Sequence, residues 1–265
     1  MGSQMLRKPR VVCLHGFRTS AEILKKQVLR WPLTVLDKLD LVFLDAPFPA
    51  QGKSDVEAFF DPPYYEWFQA NQNFTEYTNF EECLEYIENY MIKNGPFDGF
   101  LGFSQVGLIC LNYLREENLR NSTLVLKMDL ICIFFGDESQ GAVLSAALPG
   151  MQRDGLALTR IPKIKFLILI SGAKFGWSKF GHHKLSCKAF STPLECPSLH
   201  ITGEMDFMKP ESTALLESFV DPFVINHPKG HTVPRLDERS TEVMLEFIER
   251  IKKTTATDDE QNRSA

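Results

Sequence analysis

The sequence predicts a single-domain α/β fold with a mostly parallel central sheet and helices on both faces. Short apolar segments alternate with stretches of helical periodicity over most of the 265 residues, which is the pattern of a parallel sheet that helices cover on both sides. A chain of this length can bury roughly three quarters of its unfolded surface in one core, and 44% of its residues are hydrophobic. The material for one core is therefore present.

Six strands and five helices follow in chain order. The third strand is aromatic-rich and comes directly after a Gly95-Pro96 turn, both of which are typical of strands. The predicted strands lie near residues 10–14, 40–44, 97–103, 164–170, 198–202 and 223–226. The predicted helices lie near residues 20–37, 78–93, 141–152, 211–218 and 238–252. Residues 252–265 are polar, so we expect a domain over residues 1–251 and a disordered tail after it.

Charge and composition argue against several classes of partner. The net charge of −5 is spread along the chain, and no basic face for nucleic acid emerges. The sequence has no run of about 18 apolar residues that would span a membrane, and its first ten residues lack the apolar core of a secretory signal. We expect a cytoplasmic protein, with the nucleus as an alternative compartment, whose partner is a small molecule.

Metal sites and disulfides are not expected. The six cysteines form no C-x-x-C pair, and three of them lie in apolar runs, where cysteine behaves as a small hydrophobic residue. His182 and His183 form a pair far from any carboxylate motif. The sequence therefore predicts neither a metal nor an organic cofactor.

A serine follows the third strand in the setting of a nucleophile. In the nucleophile elbow, G-x-S-x-G, a sharp turn between a strand and a helix exposes the serine, and a Cβ at either glycine would collide with its neighbours. Gly102 and Ser104 fit this pattern, but position 106 is Val, and the pattern resumes only with Ser139 and Gly141. Ser104 is the predicted nucleophile.

Two downstream loops supply the partners that such a serine needs. Asp206 follows the predicted strand at 198–202, and His231 lies in a Gly-containing loop after the last strand. The chain order Ser, Asp, His is the order of the α/β-hydrolases. Asp206 is therefore predicted to orient the imidazole and His231 to act as the base. His227 is the alternative base, although its place at a strand end favours a structural role.

The oxyanion hole is predicted from two backbone amides. In an acyl-transfer site, the loop after the first strand supplies one N–H and the residue after the nucleophile supplies the other. These positions are Phe17 and Gln105. His15 lies in the same loop beside a glycine, where a structural role is more common than a catalytic one.

Six motifs occur in order along the chain. They are Leu14-His15-Gly16-Phe17-Arg18, Leu44-Asp45-Ala46-Pro47, Gly102-Phe103-Ser104-Gln105, Ile170-Ser171-Gly172-Ala173, Gly203-Glu204-Met205-Asp206 and Gly230-His231-Thr232-Val233-Pro234. Together they resemble the FSH-type family of small serine hydrolases, the plant members in particular. The resemblance covers nearly the whole chain except residues 106–140. It implies a compact α/β-hydrolase with a Ser-Asp-His triad, esterase-like activity and poorly defined natural substrates.

Residues 106–140 interrupt the family pattern inside a motif. Joining Gln105 to Gly141 restores G-F-S-Q-G-A followed by a helix of small residues. Insertions are normally tolerated in surface loops rather than inside a motif, so an in-frame retained intron or a gene-model error is the favoured explanation. The alternative is a genuine insertion, in which residues 107–120 form a substitute helix and residues 130–135 an extra strand.

Two further alternatives follow from this interruption. Ser139 also precedes a Gln-Gly pair, but its upstream Gly136 is three residues away instead of two, and Asp137 and Glu138 would lie beside a developing oxyanion. The second alternative is a catalytically impaired hydrolase-fold protein that binds a small ligand or is inactive. The predicted function remains a carboxylesterase for small or medium acyl esters.

An aromatic-rich stretch is expected near the catalytic cleft. Residues 55–80 contain nine aromatic rings around Pro62-Pro63, and apolar walls of such clefts come from loops at the carboxyl ends of strands. The competing interpretation is that these rings pack the following helix onto the sheet.

Overall fold

Six parallel strands form the central sheet. The computed structural model describes residues 7–71, 76–103, 140–176, 181 and 183–264. Its strands are β1 (Arg10–Leu14), β2 (Asp40–Leu44), β3 (Phe48–Pro49), β4 (Tyr65–Glu66), β5 (Gln69–Ala70), β6 (Tyr77–Thr78), β7 (Gly99–Phe103), β8 (Phe166–Ile170), β9 (Ser198–Gly203) and β10 (Phe223–His227). The order across the sheet is β10-β9-β8-β7-β1-β2, and every neighbouring pair is parallel. The six predicted strands and the α/β-hydrolase fold class are confirmed.

Helices cover both faces of this sheet. They are α1 (Ala21–Val28), α2 (Leu33–Leu36), α3 (Phe80–Asn94), α4 (Gly141–Arg153), α5 (Lys209–Leu216) and α6 (Glu238–Ser264). Successive residues of β1 point to opposite faces, so that Val12 packs with α3 and α4, whereas Val11 packs with α1 and α6. The result is two apolar cores, one on each side of the sheet, as the continuous apolar strands predict.

The single helix predicted near residues 20–37 is two helices. Ser20 caps α1, since its hydroxyl accepts a hydrogen bond from the N–H of Ile23. Pro32 precedes α2 and cannot continue a helix, because proline lacks an N–H and restricts the residue before it. The break therefore lies where the sequence has its proline.

The last helix runs further than the composition suggests. α6 extends from Glu238 to Ser264, through the segment for which polarity predicts disorder. Its apolar side chains in the core end at Ile251. Beyond that residue the helix continues through a polar sequence.

Residues between β2 and α3 form two small antiparallel pairs that the sequence does not reveal. β3 pairs with β4, and β5 pairs with β6. Trp67, Phe68 and Phe80, from this aromatic-rich region, are buried in the core, which favours packing over pocket lining for these rings. No helix in the described ranges is long and apolar enough to cross a membrane.

Candidate active site

The candidate catalytic residues lie at the carboxyl edge of the sheet. Ser171 comes directly after β8, Asp206 lies in the turn after β9, and His231 lies in the loop after β10. Parallel strands end at a common edge, so loops from different strands meet there. Phe103, the last residue of β7, lies against His231 with ring centroids 5.7 Å apart.

Asp206 and His231 form a buried hydrogen-bonded pair. The Nδ1 atom of His231 lies 2.8 Å from Oδ1 of Asp206, and the two residues are 4% and 5% exposed, respectively. Because an ionised carboxylate only accepts hydrogen bonds, Nδ1 is the donor. This fixes the tautomer and leaves Nε2 free of a proton, as a general base requires.

The second nitrogen of His231 has no hydrogen-bond partner among the described residues. Nε2 is buried, and the imidazole lies between the rings of Phe103 and Phe207, with centroids 5.7 and 4.8 Å away. A buried polar atom without a hydrogen-bond partner destabilises the fold, and such atoms can have a catalytic role. The imidazole therefore lies beside Phe103, the last residue of β7.

Hydrogen bonds hold Asp206 in its charged form. Burial alone would raise the pKa of this carboxyl, but the hydrogen bond from His231, the charge of that imidazole and further donors outweigh it, so the pKa lies below its usual value. The further donors are the hydroxyl of Ser171, 2.5 Å from Oδ2, and the N–H of Met208, 2.8 Å from Oδ1. An ionised Asp206 is what stabilises an imidazolium.

Ser171 is a site residue that sequence reasoning missed. It stands inside one of the quoted motifs and directly follows an apolar strand, which is the signal that could have identified it. Its φ angle is 52°, in the left-handed region that only a few per cent of non-glycine residues adopt. A strained backbone of this kind is often retained at functional sites.

The loop after β1 is held by a partly buried ion pair. The Nε atom of Arg18 lies 2.8 Å from Oε1 of Glu66, which is 1% exposed. The same carboxylate accepts hydrogen bonds from the N–H of Gln51 and from the side chain of Gln69. The guanidinium of Arg18 also covers the ring of Phe17 at 4.4 Å. Phe17, a predicted oxyanion donor, is thus flanked by a fixed neighbour.

His15 has a structural role, as expected. Its Nε2 accepts a hydrogen bond from the N–H of Ala46 at 3.0 Å, so Nδ1 carries the proton and donates to the carbonyl of Gly16 at 2.7 Å. Burial lowers the pKa of His15 to about 4. The neutral imidazole joins the loop after β1 to the loop after β2 and is not placed to act as a base.

Gly102 and Gly141, the two glycines of the predicted elbow, lie close together in the fold. A Cβ at Gly102 would lie 2.6 Å from the carbonyl oxygen of Gly141 and 2.8 Å from Cα of Ala142. A Cβ at Gly141 would meet the carbonyl oxygens of Leu14, Phe103 and His15. Both positions therefore require glycine. The predicted helix of small residues after Gly141 is confirmed as α4, and its first eight residues are buried.

The predicted nucleophile itself lies outside the described residues. Ser104 and Gln105 fall within residues 104–139, as do the alternative nucleophile Ser139 and most of the proposed insertion. The described part of the candidate site therefore contains the predicted base His231, the predicted orienting acid Asp206, the loop after β1 and the helix that begins at Gly141.

Among the other histidines that the structure describes, none makes a hydrogen bond to the carboxylate of Asp206. His227 accepts a hydrogen bond from the N–H of Lys229 at 3.3 Å, and burial lowers the pKa of its imidazole. His183 packs on Phe80 and lies 3.6 Å from Glu81, while His182 lies outside the described residues. Of the described side chains, no group of three His, Cys, Asp or Glu could hold a metal ion.

Comparisons with known proteins place the chain among serine hydrolases and esterases. A family model described as serine hydrolase (FSH1) matches residues 5–132 and 135–243. An esterase of Aedes aegypti is 29% identical over 250 residues, which covers 92% of this chain and 77% of that protein. The family of serine hydrolases 3 protein of Saccharomyces cerevisiae is 28% identical over 252 residues, covering 87% of this chain and 80% of that protein.

Proposed function

This chain belongs to the serine hydrolase (FSH1) family, and on that premise we propose that it is a carboxylesterase acting on small or medium acyl esters. The reaction is acyl transfer to water through a Ser-His-Asp triad. The serine follows β7, and the sequence predicts Ser104 for this role. His231 and Asp206 complete the triad.

The first half of the reaction forms an acyl-enzyme. The serine Oγ attacks the ester carbonyl while Nε2 of His231 takes the hydroxyl proton. The negative charge on the carbonyl oxygen is stabilised by two backbone N–H groups, for which the sequence predicts Phe17 and Gln105. His231 then gives its proton to the alkoxy oxygen, the ester C–O bond breaks, and the alcohol leaves.

The second half repeats these steps with water. His231 removes a proton from a water molecule that attacks the acyl carbonyl, and returns this proton to the serine Oγ as the acid is released. Asp206 stays ionised throughout and stabilises the imidazolium in both halves. No step in this scheme needs a metal or an organic cofactor.

One observation supports the proposal above the others. The buried hydrogen bond of 2.8 Å between Asp206 and His231 leaves Nε2, the catalytic nitrogen, without a partner in the described part of the chain. This nitrogen belongs to a ring that stacks on Phe103, directly before Ser104 in the sequence. His227 also has an unpartnered Nε2, but of these two histidines only His231 bonds to a buried carboxylate.

Mutation of the pair tests the proposal. We expect Asp206→Asn and His231→Ala each to lower hydrolysis of p-nitrophenyl butyrate by about 10⁴-fold, by analogy with measured triads, with the circular dichroism spectrum unchanged. His227→Ala is the matched control, because His227 is also buried and also has an unpartnered Nε2 but does not bond to Asp206. Near-normal turnover in Asp206→Asn or His231→Ala would refute the triad.

The same activity measurements also test the alternative that the interrupted elbow predicts, a catalytically impaired protein with a hydrolase fold. A folded protein that neither hydrolyses esters nor reacts with a fluorophosphonate would be a small-ligand binder or an inactive form. The close approach of Gly102 to Gly141 favours an active enzyme over this impaired form. The cytoplasmic location stays a prediction.

A further inference from the structure

Four neighbouring strands of the central sheet begin with charged side chains at its amino edge. These strands are β8, β7, β1 and β2, in the order that they have across the sheet. Lys165 and Asp98 directly precede β8 and β7. Arg10 and Asp40 are the first residues of β1 and β2. The charges alternate in sign along this edge, which lies opposite the edge that carries His231.

Asp98 is the buried centre of this charged cluster. It is 1% exposed, and the guanidinium of Arg7 binds it through two nitrogens, with Nη1 2.6 Å from Oδ2 and Nη2 2.8 Å from Oδ1. The backbone N–H of Arg10 donates to Oδ2 at 2.8 Å, and Nζ of Lys165 lies 3.5 Å from Oδ1. One carboxylate therefore faces two cationic side chains, more positive charge than it can neutralise.

The guanidinium of Arg10 is held in place at the same edge. Its Nε atom lies 3.0 Å from Oδ2 of Asp40, and its Nη1 atom donates to the carbonyl of Asn94 at 2.5 Å. The guanidinium also covers the ring of Phe97, 4.6 Å from its centroid. A side chain that is already fixed loses less conformational freedom when it binds a ligand.

A cleft of about 310 Å³ opens at this cluster. The residues that line it are Arg7, Lys8, Arg10, Asp40 and Pro96. Lys8 is exposed and pairs with no carboxylate in the described part of the chain. Together with Lys165 and Asp98, these residues bring four positive and two negative side chains to one place. The cluster thus has an excess of two positive charges, although the whole chain has a net charge of −5.

The residues that precede this cluster in the sequence do not supply the missing negative charge. Residues 1–6 contain neither Asp nor Glu. Charges in a partly enclosed cleft are also less screened by water and salt than charges on an open surface. The excess positive charge is therefore available to an anion from solution.

We propose that this cleft binds a phosphate dianion, either free or as the terminal group of a phosphomonoester or a lipid headgroup. Its two negative charges balance the two excess positive charges. A guanidinium has five N–H donors, so Arg7 keeps donors beyond the two that Asp98 accepts. Phosphate oxygens accept charge-assisted hydrogen bonds from both Arg and Lys. Because the cleft is at the amino edge of the sheet, this site is independent of the proposed ester hydrolysis.

Calorimetric titration at constant ionic strength tests the site. Phosphate also stabilises proteins through exclusion from their surface, so binding is measured rather than melting temperature. The parent protein should bind inorganic phosphate at one site per chain. Titration with glycerol 3-phosphate, and sedimentation with phosphatidylcholine vesicles with and without phosphatidic acid, identify the source of the phosphate as the form that binds most tightly. Absence of binding to all three forms would overturn the proposal.

Two substitutions with opposite expected effects locate the binding. Lys8→Gln removes a cation of the cleft and should weaken binding of the preferred form by roughly 10-fold. Asp40→Asn removes the carboxylate from the lining and should strengthen it by roughly 3- to 10-fold. Lys26→Gln is the matched control, because Lys26 is an exposed lysine beside Glu22 on α1, and its affinity should equal that of the parent protein. Equal losses in Lys8→Gln and Lys26→Gln would mean general charge attraction and would overturn the site.

Discussion

The hydroxyl of Ser171 donates a hydrogen bond of 2.5 Å to Oδ2 of Asp206, the carboxylate oxygen that His231 does not use. The Asp206 carboxylate is therefore held from both sides, by the imidazole on one oxygen and by the hydroxyl on the other. Ser171 holds this position despite its left-handed φ of 52°. We interpret Ser171 as a positioning residue, which acts on the reaction through Asp206.

The first prediction separates the hydroxyl of Ser171 from its backbone strain. Ser171→Gly removes the hydrogen bond but also removes the left-handed strain of about 1–2 kcal/mol, so the melting temperature should change little. Ser171→Ala removes the same bond and keeps the strain, so it should melt at a lower temperature. Both variants should lower kcat for p-nitrophenyl butyrate by roughly 10-fold and leave KM nearly unchanged, since Asp206 acts in the transition state.

Ser212→Ala is the control for this prediction. Ser212 is buried, and its hydroxyl donates to the carbonyl of Gly172 at 2.8 Å, so its removal costs one buried hydrogen bond of similar size without touching Asp206. Its kcat should remain that of the parent protein. A kcat loss in Ser212→Ala as large as in Ser171→Ala would make Ser171 merely structural.

The second prediction concerns the ion pair that holds the loop after β1. Arg18→Lys keeps the charge but lacks the planar guanidinium that bonds to Glu66 through Nε and covers Phe17. The loop should lose its fixed position, and a misplacement of about 1 Å at a reacting centre can cost 100-fold in rate. We therefore expect kcat to fall by roughly 10- to 100-fold with a small change in KM.

Arg250→Lys is the matched control for Arg18→Lys. Arg250 also bonds to a carboxylate, that of Asp221, and also covers a phenylalanine ring, that of Phe223, but this pair is exposed on α6. Exposed pairs are worth only about 0–1 kcal/mol, and activity should not change. Equal losses in both variants would contradict a specific role for Arg18.

The sequence predicts those residues of the candidate site that come shortly after a recognisable strand. Asp206 and His231 could be identified because each follows an apolar strand, and parallel strands end at the same edge. Ser171 could not, because its role arises from a hydrogen bond to Asp206, a residue far away in the chain. The same holds for the partly buried ion pair of Arg18 and Glu66.

The third prediction follows from the depressed pKa of His15. Burial lowers this pKa from 6.5 to about 4, so the unfolded chain takes up the proton at a higher pH than the folded chain does. The stability that results is fully present above about pH 6.5 and is lost as the pH falls toward 4, at about 1.4 kcal/mol per pH unit.

Urea unfolding at pH 7 and pH 4.5 measures this effect. The parent protein should lose roughly 2 kcal/mol more than His15→Gln over this interval, because glutamine can donate and accept hydrogen bonds but does not titrate. Other groups, including His200, whose pKa burial lowers to about 3, contribute equally to both proteins and cancel. The same pH dependence in both proteins would contradict the assignment.

The fourth prediction concerns residues 106–140. Deleting them joins Gln105 to Gly141, and because Ser104-Gln105 repeats as Ser139-Gln140, removal of residues 104–138 gives the same shortened chain. The shortened protein therefore has the uninterrupted elbow sequence Gly102-Phe103-Ser104-Gln105-Gly141. Closing a loop of this length costs roughly 3 kcal/mol, so the shortened protein should melt at a higher temperature.

Activity should rise with stability in the shortened protein. In the full chain Val106 stands where the elbow pattern has its second glycine, and a Cβ at that glycine position collides with its neighbours, whereas the shortened chain has glycine there. The shortened protein should therefore hydrolyse p-nitrophenyl butyrate faster, and Ser→Ala at its elbow should abolish this activity. If the full chain is equally stable and equally active, residues 106–140 are a genuine part of the fold, and their interpretation as an intrusion is wrong.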